Sequence, residues 1–222
     1  MNYSTKKNKI CAVVPFYNEQ TTLCKLLLSV SNYVDCIIAV DDGSTEEYLI
    51  PEEILEKVNL VKHPKNFGKG AAIRTGFKKS IELKTDITII IDADGQHDPK
   101  FIPYFIEKIS VFDIVVGNRL FDMKFMPIHR RASNLLTSKL LSIKAGIKVL
   151  DSQCGFRAYR TNILNALSPD FNGFEAESEI LVKAAKAKYS IGYVDVPTIY
   201  GNDNSKMKSV EATLGFIKIL LS

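Results

Sequence analysis

Short apolar runs rich in β-branched residues alternate, over the first half of the chain, with longer stretches whose apolar positions recur every three or four residues. ICAVV (10–14), CIIAV (36–40), VNLVK (58–62), ITIII (87–91) and DIVVG (113–117) each predict a strand. Between them, residues 19–30 put Leu23, Leu26, Leu27 and Val30 on one helical stripe. Residues 68–83 predict a second helix, and 99–109 a third that Pro99 opens with Asp98 as N-cap. Residues 46–57 are only weakly helical, because Pro51 interrupts them. The run 87–91 is apolar on both faces, as a central parallel strand is. This order predicts an α/β fold, an open sheet with helices on both faces. After residue 118 the pattern weakens. It predicts helices over about 131–146 and 176–188, strands within 155–160 and 190–196, and a terminal helix over 206–221.

In such sheets ligands bind beyond the carboxyl ends of the strands. Four polar clusters fall there: Pro15–Glu19, Asp41–Ser44, Asn66–Lys69 and Asp92–His97. The last, in IIIDADGQHDP (89–99), bunches negative charge at a strand tip. If residues 89–94 stay extended, Asp92 and Asp94 project to one side and repel each other unless a cation lies between them. Such a pair suits Mg²⁺ or Mn²⁺ holding a diphosphate, with Gln96 adding an oxygen or orienting a water. An EF-hand is excluded, because His97 and Pro103 stand where that loop needs Gly and Glu. A plain helix-capping turn accounts for Asp98 but not for two further carboxylates.

The other clusters read two ways. In VVPFYNE, Tyr17 could stack on a base and Glu19 reach a sugar or base edge, or Pro15 could simply stop the strand and Asn18 cap the helix. In VDDGST an aspartate could accept from a nucleobase or ribose, or serve an Asp-Gly turn. In NFGKGAAIRTG, Lys69 and a helix N-terminus could favour an anion or a base carbonyl, or the glycines could serve close packing. It is not a Walker A loop, since Gly70 follows Lys69. Arg119, Arg131, Arg157 and Arg160 are candidate phosphate contacts or solvated charges. Glu175 and Glu179, four apart, are candidate catalytic acids or helix-start charges. His97 is a candidate partner of the metal-binding carboxylates.

Composition narrows the classes. The 222 residues suit one domain, with hydrophobic content 46% and charged content 24%. Lys+Arg 29 against Asp+Glu 25 gives +4, too mild to imply nucleic acid. Cys11, Cys24, Cys36 and Cys154 form no metal spacing and imply a reduced, cytoplasmic setting. No apolar run approaches the roughly 18–20 residues that span a bilayer, so a soluble or peripheral protein is expected. LFDMKFMPIHRR (120–131) mixes Phe121, Met123, Phe125 and Met126 with bases, as an acyl–headgroup boundary demands. In the terminal helix, Met207, Val210, Leu214, Ile217 and Leu221 form a stripe suited equally to lipid or to the core.

VVPFYNE, VDDGS, NFGKGAAIRTG, DADGQHDP, GNR and DSQCGFRAYR, in this order over about residues 10–205, resemble the family 2 glycosyltransferases. The likeness is strongest to the dolichyl- and polyprenyl-phosphate hexose transferases, the dolichyl-phosphate mannosyltransferases among them. The resemblance implies a GT-A fold whose sheet is mixed and mainly parallel, a nucleotide-diphosphate sugar donor (GDP- or UDP-hexose), a divalent metal and inversion at the anomeric carbon. It implies a nucleoside pocket of Pro15, Tyr17, Glu19 and Asp42, and a metal motif of Asp92, Asp94 and Gln96. Arg119 and Arg131 match bases near the phosphates and the acceptor. Ser205 and Lys206 match an element that closes over the pyrophosphate, although the preceding TIYGND lacks an arginine that some relatives carry there. The chain then divides into a nucleotide-binding half (1–117), an acceptor half (118–205) and a terminal helix (206–222). The expected acceptor is a lipid phosphate at the cytoplasmic membrane face. A saccharide hydroxyl is the alternative, with Asp151 as base and Glu175 second. A nucleotidyltransferase or a non-catalytic nucleotide-sugar binder are further alternatives.

Overall fold

The computed structural model of the chain describes residues 7–121, 126, 128–199 and 218–219. Its strands are β1 (Ile10–Phe16), β2 (Cys36–Asp41), β3 (Val58–Lys62), β4 (Ile87–Ile90), β5 (Ile114–Asn118), β6 (Arg157–Arg160) and β7 (Ile191–Asp195). Its helices are α1 (Gln20–Val30), α2 (Lys69–Glu82), α3 (Ile102–Ile109), α4 (Ile128–Ala145), α5 (Leu164–Leu167) and α6 (Ala176–Lys186). The strands form one sheet in the order β3-β2-β1-β4-β6-β5-β7. All neighbours are parallel except β6, which runs antiparallel to both β4 and β5. The fold is GT-A.

The order of strands decides where a ligand fits. From β1 the chain builds outward through β2 and β3, then returns to place β4 on β1's other flank. A crevice therefore opens above the carboxyl ends of β1 and β4, where the direction of winding reverses. Both strands are buried, so their tips are rigid platforms.

Three local features differ from the sequence reading. β1 does not stop at Pro15 but continues through Phe16. β4 pairs β1 only as far as Val13, so Pro15 lies where one flank of the strand is already unpaired and a missing N–H is tolerated. Residues 52–57 form a 3-10 turn rather than an α-helix, with Pro51 extended before it. The helix expected from Pro99 begins as a 3-10 turn, Pro99–Phe101, and becomes α-helical at Ile102. Asp98 does cap it, accepting from Lys100 N at 3.0 Å.

Helix α4 is amphipathic in the unusual sense. It turns Asn134 and Ser138 inward and leaves Ile128 84%, Leu136 59% and Ile143 71% exposed. No helix among the described residues is long and apolar enough to cross a membrane. The expected terminal helix lies outside the described residues except for Lys218 and Ile219, which are helical.

Packing of α2 on β1 depends on one small residue. A Cβ on Gly76 would stand 2.2 Å from Val13 Cγ1, inside any real contact distance. Gly76→Ala is expected to destabilise the fold by about 1–3 kcal/mol through overpacking. Urea unfolding checks this; an unchanged midpoint would show that α2 rides higher on the sheet than described.

Candidate active site

Beyond β4 the chain leaves the sheet through Asp92, turns at Ala93–Asp94, and reverses at Gly95 with φ +73°. Thr22 of α1 donates to the Ala93 carbonyl at 2.5 Å and pins the turn. Asp94 accepts from Gln96 N at 3.0 Å. Residues 89–94 are therefore not extended throughout, yet the two carboxylates remain close enough for the charge of Asp92 to act on Asp94.

Lys69, at the start of α2, reaches this turn. Its Nζ donates to Asp92 Oδ2 at 2.8 Å and lies 2.8 Å from Glu177 Oε1 of α6. Gly155 gives the carboxylate room, since a Cβ there would fall 2.0 Å from Asp92 Oδ2. Asp92 Oδ1 and His97 Nδ1 are buried and have no hydrogen-bond partner among the described residues. The His97 ring packs 5.5 Å from that of Phe156.

Burial and charge set the protonation states. Burial, and then the charge of Asp92, push the Asp94 carboxyl up to about 6. Burial would raise Asp92 as well, but Lys69, His97 and Arg119 together hold it below its ordinary value. For Lys69 burial works against the charge, and Asp92 and Glu177 more than offset it, so the ammonium is held firmly. His97 is pushed down to about 4, chiefly by burial, and is neutral at pH 7.

Arg119, just past β5, closes the other side. Its Nε and Nη2 donate to Asp151 at 2.8 and 2.9 Å, and its backbone N–H donates at 3.1 Å. Asn134 of α4 and the Gln153 N–H add bonds at 2.9 and 3.0 Å. Asp151 thus accepts from five donors. Although burial opposes it, Arg119 and these donors hold its carboxyl down at about 2.

The remaining candidates separate. Asp42 accepts from His63 Nδ1 at 2.7 Å, Phe67 N at 3.0 Å and Gly68 N at 2.8 Å, clipping β2 to the glycine loop. Tyr17 and Glu19 are half-buried in the β1–α1 turn, and Asn18 ties that turn to Ser44 and Thr45. In the glycine loop, Gly70 N donates to Asn172 O at 2.6 Å, and a Cβ on Gly68 or Gly70 would strike the 171–172 backbone within 2.4 Å. Those glycines serve packing, and the first N–H groups of α2 face the protein. The cation that reaches the site is Lys69 itself.

Arg157 is a core residue, donating to the carbonyls of Ser152, Cys154 and Glu177. Arg160 sits at the far end of β6, paired with Asp113 and the carbonyls of Ser110 and Phe112. Because β6 runs antiparallel, the arginines of RAYR face opposite ends of the sheet. Glu179 caps the 170–171 turn and pairs with Lys183, while Glu175 occupies the N-cap of α6. Arg131 is exposed on α4, one turn before Asn134, and Gln96 is half-buried. Ser205 and Lys206 lie outside the described residues. Glu177 was missed by sequence reasoning: in FEAESEIL its neighbours at 175 and 179 carried the four-residue spacing, and nothing marked it as the member facing Lys69.

Residues 11–168 match the family described as glycosyl transferase family 2. The chain belongs to that family. This glycosyltransferase is 35% identical, over 231 aligned positions, to UDP-N-acetylglucosamine–dolichyl-phosphate N-acetylglucosaminyltransferase of Methanococcus voltae, covering 93% of this chain and 92% of the relative. It is 28% identical to dolichol-phosphate mannosyltransferase of Pyrococcus furiosus, covering 90% of this chain and 59% of the relative. Among solved structures, glucosyl-3-phosphoglycerate synthase from Mycobacterium tuberculosis, in complex with Mn²⁺, UDP and glucosyl-3-phosphoglycerate, superposes with a TM-score of 0.71 at 20% identity. That match covers 96% of this chain and 77% of the synthase.

A carboxyl raised by folding makes the folded state bind a proton that the unfolded state has released. In metal-chelated glycosyltransferase, Asp94 should therefore cost stability progressively as pH rises from about 4 through about 6. Asp94→Asn is expected to be more stable than the wild type at pH 7 by on the order of 1 kcal/mol, with the gap closing near pH 4. Urea midpoints in EDTA across that range decide it; a gap independent of pH would show that Asp94 is solvated.

Proposed function

We propose that this glycosyltransferase moves a hexose or N-acetylhexosamine, with inversion, from a nucleotide-diphosphate sugar to a polyprenyl or dolichyl phosphate. The Methanococcus relative makes UDP-N-acetylglucosamine the first donor to test. The observation that carries the acceptor assignment is the state of Asp151. A sugar hydroxyl must lose a proton as it attacks and calls for a carboxylate base. Asp151 has five donors on its two oxygens and a pKa held at about 2, so it is a poor base. A lipid phosphate is already anionic and needs alignment rather than deprotonation.

The turn after β4 suits a divalent ion. It holds two neighbouring carboxylates, with Asp92 Oδ1 unpartnered among the described residues and with burial and the charge of Asp92 opposing ionisation of Asp94. Asp92 and Asp94, with Gln96 beside them, are the residues that would hold Mg²⁺ or Mn²⁺, and such an ion supplies positive charge to the leaving diphosphate. Lys69 keeps a buried cation at the same place. Asp151 grips Arg119 by one edge, giving a fixed cation to orient phosphate, and Arg131 adds charge on the acceptor side. Tyr17, Glu19 and the Pro15 strand end border the nucleoside, with Asp42 shaping the loop beside it. Ser205 and Lys206 are assigned to closure over the pyrophosphate from the resemblance alone.

We propose contact with the cytoplasmic face of a membrane, and the surface of α4 supports contact with lipid. Ile128, Leu136 and Ile143 are exposed there, and residues 123–150 contain six Lys or Arg but no Asp or Glu. A basic helix with an outward apolar stripe suits an anionic lipid surface.

With UDP-N-acetylglucosamine and a polyprenyl phosphate, product is expected in the organic phase. Asp94→Ala is expected to lower turnover by roughly 10²–10³-fold, the scale for removing transition-state charge stabilisation. Glu175→Gln should leave turnover unchanged; transfer to a saccharide that Glu175→Gln abolishes would favour the hydroxyl-acceptor alternative. Separately, co-sedimentation with anionic phospholipid vesicles should fall when Leu136 and Ile143 are both replaced by Glu, with no change in the urea midpoint. Equal sedimentation by both proteins would remove α4 from the membrane contact.

A further inference from the structure

We infer that Glu177 is a positioning residue: it competes with Asp92 for Lys69, and so keeps Asp92 able to take a divalent ion while Lys69 stays beside the diphosphate. The inference rests on the metal reading above and extends it to a residue outside the carboxylate pair.

The geometry is that of one cation shared by two anions. Lys69 Nζ lies 2.8 Å from Asp92 and 2.8 Å from Glu177, and the lysine and glutamate side chains are 13% and 7% exposed. If stability alone were served, Lys69–Asp92 would be a complete pair. A third buried charge adds desolvation cost without a partner of its own. Glu177 is nonetheless held rigidly. Its carbonyl accepts from Arg157 Nη1 at 2.7 Å, and two residues later Glu179 anchors the same helix to the 170–171 turn.

The cluster is also left unsatisfied. Lys69 holds Asp92 by Oδ2 alone, and among the described residues the buried Asp92 Oδ1 has no hydrogen-bond partner, so that carboxylate keeps an oxygen for another cation. A divalent ion arriving at Asp92 and Asp94 repels that ammonium. Without Glu177, Lys69 would have to hold Asp92 against the ion or retreat to solvent through the rim at Phe174, whose ring centroid is 5.6 Å away. With Glu177, its second partner is already in contact. The positive charge stays in the site and Asp92 is released.

Mn²⁺ binding by the whole chain without donor, followed by electron paramagnetic resonance or calorimetry, tests this apart from turnover. Wild type should bind and Asp94→Asn should not; absence of binding by wild type overturns the metal reading and this inference together. Glu177→Gln should weaken Mn²⁺ by roughly tenfold or more, the scale for residues that act behind metal ligands. Lys69→Gln removes the competitor. In that background Glu177→Gln should cost less than about threefold, because coupled residues are non-additive. Glu177→Asp, which keeps a carboxylate, should recover part of the affinity.

Equal losses in both backgrounds would make Glu177 a direct ligand and overturn its action through Lys69. Unchanged affinity with a lowered urea midpoint would make it structural only and overturn the inference outright.

Discussion

The site depends on an imbalance of charge: three carboxylates, Asp92, Asp94 and Glu177, surround one buried ammonium, that of Lys69. Lys69, the Asp92–Asp94 turn and Glu177 come from different parts of the chain, and the fold spends much of its detail on bringing them together. The sheet places the β4 tip at the point where its winding reverses. Glycines at 68 and 70 let α2 close on the 171–172 backbone, which carries Lys69 and α6 into the same volume. Gly155 leaves the space that the Asp92 carboxylate fills. A side chain at any of these glycines would move a charge, not merely a surface. Buried carboxylates gathered about one ammonium cost stability in isolation, and the arrangement suits a ligand carrying the complementary charges, as proposed above.

Much of this was legible in the sequence, for reasons that can be named. β1, β2, β4 and β5 announced themselves because parallel, doubly covered strands are apolar on both faces, whereas β3 at the sheet edge is only half-buried. Asp92 and Asp94 stood out because nothing local accounts for two carboxylates at the end of such a strand. The insertion of β6, antiparallel, between β4 and β5 was not legible: Arg157–Arg160 is four residues with no clear alternation, and pairing partners distant in sequence leave no trace in it. That topology separates Arg157, buried among carbonyls, from Arg160, exposed at the other end, though both had been candidates for one phosphate site. Glu177 was hidden for a different reason. Acidic residues in the first turn of a helix are expected from the dipole alone, so three glutamates in FEAESE carried no signal for the one that faces Lys69.

Helix α4 shows the same limit from the other side. Its 18 residues contain leucines on more than one face, Leu136 outward and Leu141 inward, so periodicity alone did not say which face packs inward. The structure buries the side bearing Asn134 and Ser138, because those groups complete the hydrogen bonding of Asp151 and Ser152. Leu141 is buried on that same side, while Leu136 and Ile143 are left facing outward. One helix therefore links the acceptor-side anchor to the surface proposed to meet lipid. A lipid phosphate would approach along the element that fixes the orientation of Arg119.

Two buried acid–base pairs flank the crevice, and the difference between them separates scaffold from chemistry. Asp151 and Arg119 are closed: five donors occupy the carboxylate, and its pKa near 2 records how completely its charge is met. Asp92 and Lys69 are open: among the described residues one carboxylate oxygen has no donor, the ammonium is shared, and burial together with the charge of Asp92 drives the neighbouring Asp94 carboxyl up to about 6. A closed pair resists both proton transfer and displacement, which suits a residue that must hold an arginine still. An open pair exchanges partners at little cost, because part of its interaction was never made. On the function proposed for this glycosyltransferase, the site would rest on incompleteness at one carboxylate and completeness at the other, two properties that composition and spacing do not distinguish.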